Sequence, residues 1–188
     1  MPDGLALTTL GRDETVPEPA VFLAAVWPAL CHAHAEEETD WGVAPQTQLR
    51  RPPYSAPTPL AVPGARTVTT DELRTLLESP APPLLVDVAG GDGHMTLPDA
   101  HWLPGAGRGV HFLDPLQAAI ADWLAELTRG DKTRALAVFC VDAKCWLSYN
   151  VALRALALGY TNVLWYRGGI AAWAAAGLPL TRTSGPAR

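Results

Sequence analysis

The strongest chemical signal in this 188-residue chain is a pair of thiols, Cys140 and Cys145, separated by Val141, Asp142, Ala143 and Lys144 and followed by Trp146. The apolar run from Ala135 to Phe139 predicts a buried strand that ends directly on Cys140. In an open parallel sheet, ligands bind beyond the C-terminal ends of the strands. A loop curling there turns backbone N–H groups inward, and the next helix presents the positive end of its dipole. Both effects favour thiolate over thiol, and such cysteines fall from ~8.5 to below ~7. Lys144 adds a cation and Asp142 opposes it. The expectation is a lowered pKa at Cys140, in a concave mouth facing water. Cys145 opens a competing use, because two thiols five residues apart can reach the separation a disulfide demands. Such a pair can cycle electrons between dithiol and disulfide.

Composition removes several other classes. The chain is 48% hydrophobic and 18% charged, which suits one globular domain with a sizeable core. A net charge of −5 argues against a general nucleic-acid binder, which needs clustered Lys and Arg. No run approaches the ~20 apolar residues of a membrane span. The three cysteines, Cys31, Cys140 and Cys145, neither staple a scaffold nor complete a zinc site, so no metal or cofactor is expected.

Residues 20–31, followed by His32-Ala33-His34-Ala35, read as the end of a signal peptide cut after Ala35. Removal of Cys31 would leave an even cysteine count, suited to the periplasm. The preceding stretch carries Asp3, Asp13, Glu14 and Glu18 against Arg12, where a leader is positive. That fits a start codon further along, or a buried helix of a cytoplasmic protein.

Residues 36–66 form an arm rich in proline, without periodicity, expected to run extended over the surface. From Thr67 to Arg182 the text is regular, and 183–188 read as a tail. Thr69-Thr70-Asp71-Glu72 is a capping box opening a short helix. Leu84 to Val88 is a buried strand. Asp114-Pro115 starts a helix with Leu116, Ala119, Ile120, Trp123, Leu124 and Leu127 on its apolar row, closed by Gly130. A helix from about Leu147 to Leu158, a strand from Asn162 to Tyr166 and a helix from Ile170 to Ala176 complete the set. Alternating strands and helices imply right-handed crossovers and a parallel sheet.

The order of motifs carries a resemblance. Leu84-Leu-Val-Asp-Val88, then Ala100-His-Trp-Leu-Pro-Gly-Ala106, Cys140 with its loop, Leu158-Gly-Tyr-Thr-Asn-Val163, Gly168-Gly-Ile-Ala-Ala-Trp173 and Gly177-Leu-Pro179 together resemble a rhodanese domain. The resemblance implies a three-layer α/β/α fold with a central parallel sheet and Cys140 as the sulfur-accepting nucleophile, its persulfide then resolved by Cys145 unless the pair cycles electrons with no sulfur transfer. More narrowly, Cys140 to Asn150, with Cys145-Trp146, is similar to the CXXCW-motif rhodanese-like proteins associated with PQQ-dependent catabolism. Those are typically exported, and the resemblance implies a small sulfur-donor or thiol substrate and a protein partner in PQQ-dependent alcohol oxidation. The spacing here is Cys-x4-Cys-Trp. Ala143 and Cys145 stand where the family's loop has glycine and arginine, and Ala89 replaces the arginine after the second strand. Phosphatases of the same fold use Cys-x5-Arg; the matching position here is Trp146, which carries no charge to grip a phosphate.

Around the loop, Trp146 either covers the site or packs on the sheet. Ser148 either caps the helix or donates to a bound anion. Asn150 either braces the loop or lies on the helix surface. Asp87 is expected to satisfy backbone donors, and His101 to fix its turn. Gly168-Gly169 lacks the GxGxxG context and reads as a tight turn.

Overall fold

Thr69 opens the first helix as its Thr-x-x-Glu spacing predicts. Its hydroxyl accepts from the Glu72 amide (3.3 Å), and the Glu72 carboxylate accepts from the Thr69 amide (3.0 Å). Two donors that the helix start would orphan are thereby satisfied. The computed structural model describes residues 34, 36–91 and 93–183. Its elements are β1 (Arg66–Val68), α1 (Thr70–Leu77), β2 (Leu84–Asp87), β3 (Met95–Thr96), β4 (His101–Trp102), α2 (Pro115–Thr128), β5 (Leu136–Phe139), α3 (Trp146–Ala157), β6 (Val163–Tyr166), α4 (Gly169–Ala175) and β7 (Thr181–Arg182). Residues 20–31 and the cleavage position Ala35 lie outside the described residues, as does 184–188 of the tail.

Five strands form one sheet in the order β1-β6-β5-β2-β4, every neighbour parallel. The β3–β7 pair is a small antiparallel ribbon. Alternation along each strand divides the core between two faces. Val86, Leu136, Val138 and Trp165 pack with Ile120 and Leu124 of α2 and Tyr149 of α3. Leu85, Ala137, Phe139 and Tyr166 pack with Leu73 of α1 and Trp173 of α4. This is the three-layer α/β/α arrangement. Cys140 keeps the parity of Leu136 and Val138, so its side chain falls on the α3 side.

Helix α3 is buried on nearly every side, from Ser148 through Ala155. Its outer face meets the proline-rich arm: the Tyr149 hydroxyl donates to the Gln46 carbonyl and accepts from the Gln46 amide, both at 2.8 Å. The buried polar side chains of α3, Ser148, Asn150 and Arg154, all find hydrogen-bond partners. None of the described helices is long and apolar enough to cross a membrane.

Helix α2 departs from its apolar row. Ala119 is exposed, while Gln117 and Thr128 are buried. Both polar side chains have partners, Gln117 Nε2 donating to the Arg154 carbonyl (3.2 Å) and Thr128 Oγ1 to the Leu124 carbonyl (2.8 Å). At the C-terminal end the left-handed turn begins one residue early, at Arg129 (φ 54°).

Asp114 caps α2 through the Gln117 amide (3.0 Å) and also holds the guanidinium of Arg154, fully buried, at 2.7 Å. Arg154, first by hydrogen bond and then by charge, keeps the Asp114 carboxyl below its ordinary value. A lowered folded-state pKa means stability present above the unfolded carboxylate value and lost as pH falls through the folded one. Asp114→Ala strands a buried cation and removes a cap, so it should cost about 3 kcal/mol. Urea unfolding checks this: the loss should appear near neutral pH and shrink under acid, where the wild type also loses the pair.

Candidate functional site

β5 ends at Phe139, so Cys140 stands at the C-terminal edge of the sheet, and Cys145 is the N-cap residue of α3. The two sulfurs are bonded to each other, with Cα atoms 6.1 Å apart. Cys140 is 2% exposed and Cys145 8%. This corrects the expectation of a concave mouth facing water at Cys140: the pair is closed as the disulfide that its spacing allows, beneath the arm. The expectation of inward amides also fails at the end of the loop. Asp142 takes them, its Oδ1 accepting from the Lys144 amide (2.8 Å) and its carbonyl from the Cys145 amide (3.2 Å). An aspartate two residues upstream competes well because the contact is local. Lys144 turns away, its Nζ pairing with Glu36 (2.7 Å) and lying 5.4 Å from the centre of the Trp41 ring. Val141 is exposed, and Ala143 is buried.

From the opposite side, the first turn of α4 grips the start of the loop. The Ile170 amide donates to the Cys140 carbonyl (3.0 Å) and the Ala171 amide to the Val141 carbonyl (2.8 Å). Gly168-Gly169 is the turn that brings this helix in.

The arm covers the loop by pairing with it. Ser55 and Cys145 form an antiparallel bridge. The Ala56 amide donates to the Lys144 carbonyl (2.9 Å), and the Trp146 amide to the Tyr54 carbonyl (2.8 Å). Trp146 is not a lid: it is buried, its Nε1 donating to the Pro57 carbonyl (3.1 Å) and its ring lying 5.2 Å from the Arg50 guanidinium. Ser148 neither caps α3 nor offers an anion donor. Its hydroxyl donates to the Cys145 carbonyl (3.2 Å) and accepts from Trp165 Nε1 (3.0 Å).

Asn150 is fully buried, not on the helix surface, and braces the arm instead of the cysteine loop. Its Oδ1 accepts from the Arg50 amide (2.8 Å), and its Nδ2 donates to the carbonyls of Arg50 (2.9 Å) and Gly107 (2.7 Å). Asp87, also fully buried, accepts from the Ala89 amide (2.8 Å) and from Thr96 Oγ1 (2.6 Å), and sits 2.7 Å from His94 Nε2. His101 is exposed on β4 and lines a cavity of about 420 Å³ with Leu84, Arg134 and Trp173, apart from the cysteines. At the C-terminal ends of β2 and β4, a cavity of about 500 Å³ is lined by Gly90, Gly91, Gly93, Trp102, Pro104 and Arg108.

Sequence reasoning missed Arg167 and its partners. Arg167 follows β6 and is 1% exposed. Its Nε donates to Thr58 Oγ1 (3.0 Å), Nη1 to the Glu37 carbonyl (2.7 Å), and Nη2 to the carbonyls of Thr39 (2.9 Å) and Thr58 (3.0 Å). Burial pulls its pKa below the ordinary arginine value, against the charges of Asp40 and Glu36. Buried Glu37 accepts from the amide (2.9 Å) and hydroxyl (2.7 Å) of Thr70, at the start of α1. The available signal was an arginine directly after a buried strand and before Gly-Gly.

Fold and site together define a parallel α/β/α domain with a cysteine at the strand end that feeds α3. The Rhodanese-like domain family matches residues 69–176, more than half of the chain, and the chain belongs to that family. No curated protein matches the sequence. Among solved structures, a thiosulfate sulfurtransferase from Pseudomonas aeruginosa is 24% identical (TM-score 0.48), covering 65% of this chain and 21% of its own. The Alr3790 protein from Anabaena sp. is 25% identical (TM-score 0.42), covering 61% and 81%. Wild-type EanB is 20% identical (TM-score 0.46), covering 66% and 32%. The chain thus spans about a fifth of the length of that sulfurtransferase and a third of EanB.

Proposed function

We propose that this chain is a sulfurtransferase that moves sulfane sulfur through Cys140, with Cys145 as the resolving thiol. The observation that carries the reading is the position of Cys140, at the strand end of a rhodanese-like domain and within bonding contact of a second thiol. The reduced Cys140 thiolate attacks the outer sulfur of a donor such as thiosulfate. The donor's S–S bond breaks, its electron pair leaves with sulfite, and Cys140 holds a persulfide. The Cys145 thiolate then attacks Cys140 Sγ. The disulfide forms, and the outer sulfur leaves as hydrosulfide. An external dithiol reduces the pair and is itself oxidised. The closed disulfide is the resting state between cycles.

The CXXCW-like stretch from Cys140 to Asn150 and the leader-like run ending at Ala35 support a place in the cell envelope, beside PQQ-dependent alcohol oxidation and with a protein partner there. Disulfides persist in such oxidising compartments. Cell fractionation should find a periplasmic chain beginning at Glu36; a cytoplasmic chain with its N-terminal segment intact would refute this placement.

A second reading is favoured by the burial of both sulfurs under the arm. The pair then exchanges two electrons with a partner as a thiol-redox accessory, and no sulfur moves. Thiosulfate:cyanide assays separate the two. After reduction, the wild type should release sulfide from thiosulfate, and Cys145→Ser should retain a persulfide that cyanide removes as thiocyanate. If wild type and Cys140→Ser are indistinguishable with thiosulfate and other sulfane donors, the transfer reading is wrong and the redox reading stands.

A further inference from the structure

Arg167 is a buried cation that, among the described residues, forms no ion pair with a carboxylate. Its partners are backbone carbonyls of the arm, the Thr58 hydroxyl, and the face of Trp41 at 4.6 Å. Burying a charge without such partners is costly, so the guanidinium is satisfied only while the arm is docked.

The Thr58 hydroxyl has one proton. With Arg167 Nε donating to its oxygen, that proton goes to the Ala143 carbonyl, at 2.6 Å. The cation polarises the hydroxyl and strengthens its grip on the loop. Ala143 lies between the two cysteines. The next groups along, the Lys144 carbonyl and the Trp146 amide, are held by Ala56 and Tyr54. The peptide units on both sides of Cys145 are therefore fixed by the arm.

We propose that Arg167 and Thr58 are positioning residues for the cysteine pair, holding the loop in the shape in which Cys145 meets Cys140, so that arm docking and disulfide closure stabilise each other. Linkage makes the effect reciprocal: whatever the docked arm adds to disulfide stability, the disulfide adds to docking. Opening the pair loosens the arm and uncovers Cys140. The inference rests on the pair cycling between dithiol and disulfide, as in the proposed function.

The test equilibrates the full chain with ratios of reduced and oxidised dithiothreitol and measures the disulfide fraction by thiol alkylation and mass. Each disulfide reduced consumes one dithiol and yields one oxidised dithiothreitol. Thr58→Val, which keeps the shape and loses the hydroxyl, should shift the equilibrium about tenfold towards the dithiol, while Thr58→Ser stays within about twofold of wild type. Hydrogen exchange on the wild type is the second arm, independent of any variant that fails to fold. The Ala56 and Trp146 amides should exchange about tenfold faster after reduction. An unshifted Thr58→Val equilibrium, or equal exchange in both redox states, would overturn the proposal. Neither measurement uses a sulfur donor, so a shifted equilibrium without thiosulfate turnover refutes sulfur transfer and supports the latch.

Discussion

Cys140→Ser should reduce sulfite release from thiosulfate by at least about a thousandfold, because a serine hydroxyl at the same place is un-ionised and a poor nucleophile towards sulfur. The same substitution leaves Cys145 as an unbonded thiol, since its partner is gone. The variant should still fold. The Cys140 side chain packs in the core on the α3 side, but serine is nearly its volume, and the disulfide lost closes only a short loop, of sequence separation 5. Sulfite release under single-turnover conditions, with circular dichroism as the fold control, checks the claim. Retained release would move the nucleophile elsewhere.

Gly169→Ala should destabilise the domain by about 3 kcal/mol or more. Gly169 sits at φ 59°, in the left-handed region, and a Cβ there would run into the carbonyl oxygen of Cys140. That oxygen already accepts from Ile170, so neither the loop nor α4 can give way without breaking the contact that seats the cysteine. Gly159 supplies the contrast: its φ is 86°, yet a Cβ there meets nothing within 4 Å. Gly159→Ala therefore carries backbone strain alone, about 1 kcal/mol. Paired urea titrations of the two variants should show that difference. Equal losses would mean that the close approach of α4 to Cys140 contributes nothing.

The alternation of strands and helices was legible because the signals are local. Leu84–Val86 and Leu136–Phe139 are short apolar runs at the heart of the sheet, and Asp114-Pro115 is an N-cap followed by an N1 proline. The place of Cys140 followed from the end of its strand. What the cysteine loop touches was not legible. The arm has no periodicity, and it binds α3 and the loop largely through main-chain groups, such as the Gln46, Arg50 and Ala56 amides and the Tyr54 carbonyl. Any sequence offers carbonyls and amides, so Arg167, Asn150 and Tyr149 gave no sign of their partners. Lys144 was read beside the sulfur because neighbours in sequence suggest neighbours in space; Glu36, far along the chain, holds it instead. Ser148 gives no local sign of its partner either, because Trp165 of β6 takes its oxygen.

The central claim is that sulfur is accepted at Cys140 and resolved by Cys145. Peptide-level mass analysis of the reduced Cys145→Ser chain, after incubation with thiosulfate, tests it most directly. A gain of one sulfur atom on the peptide carrying Cys140, lost again on adding cyanide, is the predicted result. An unmodified Cys140 peptide, from folded protein and with a saturating donor, would contradict it.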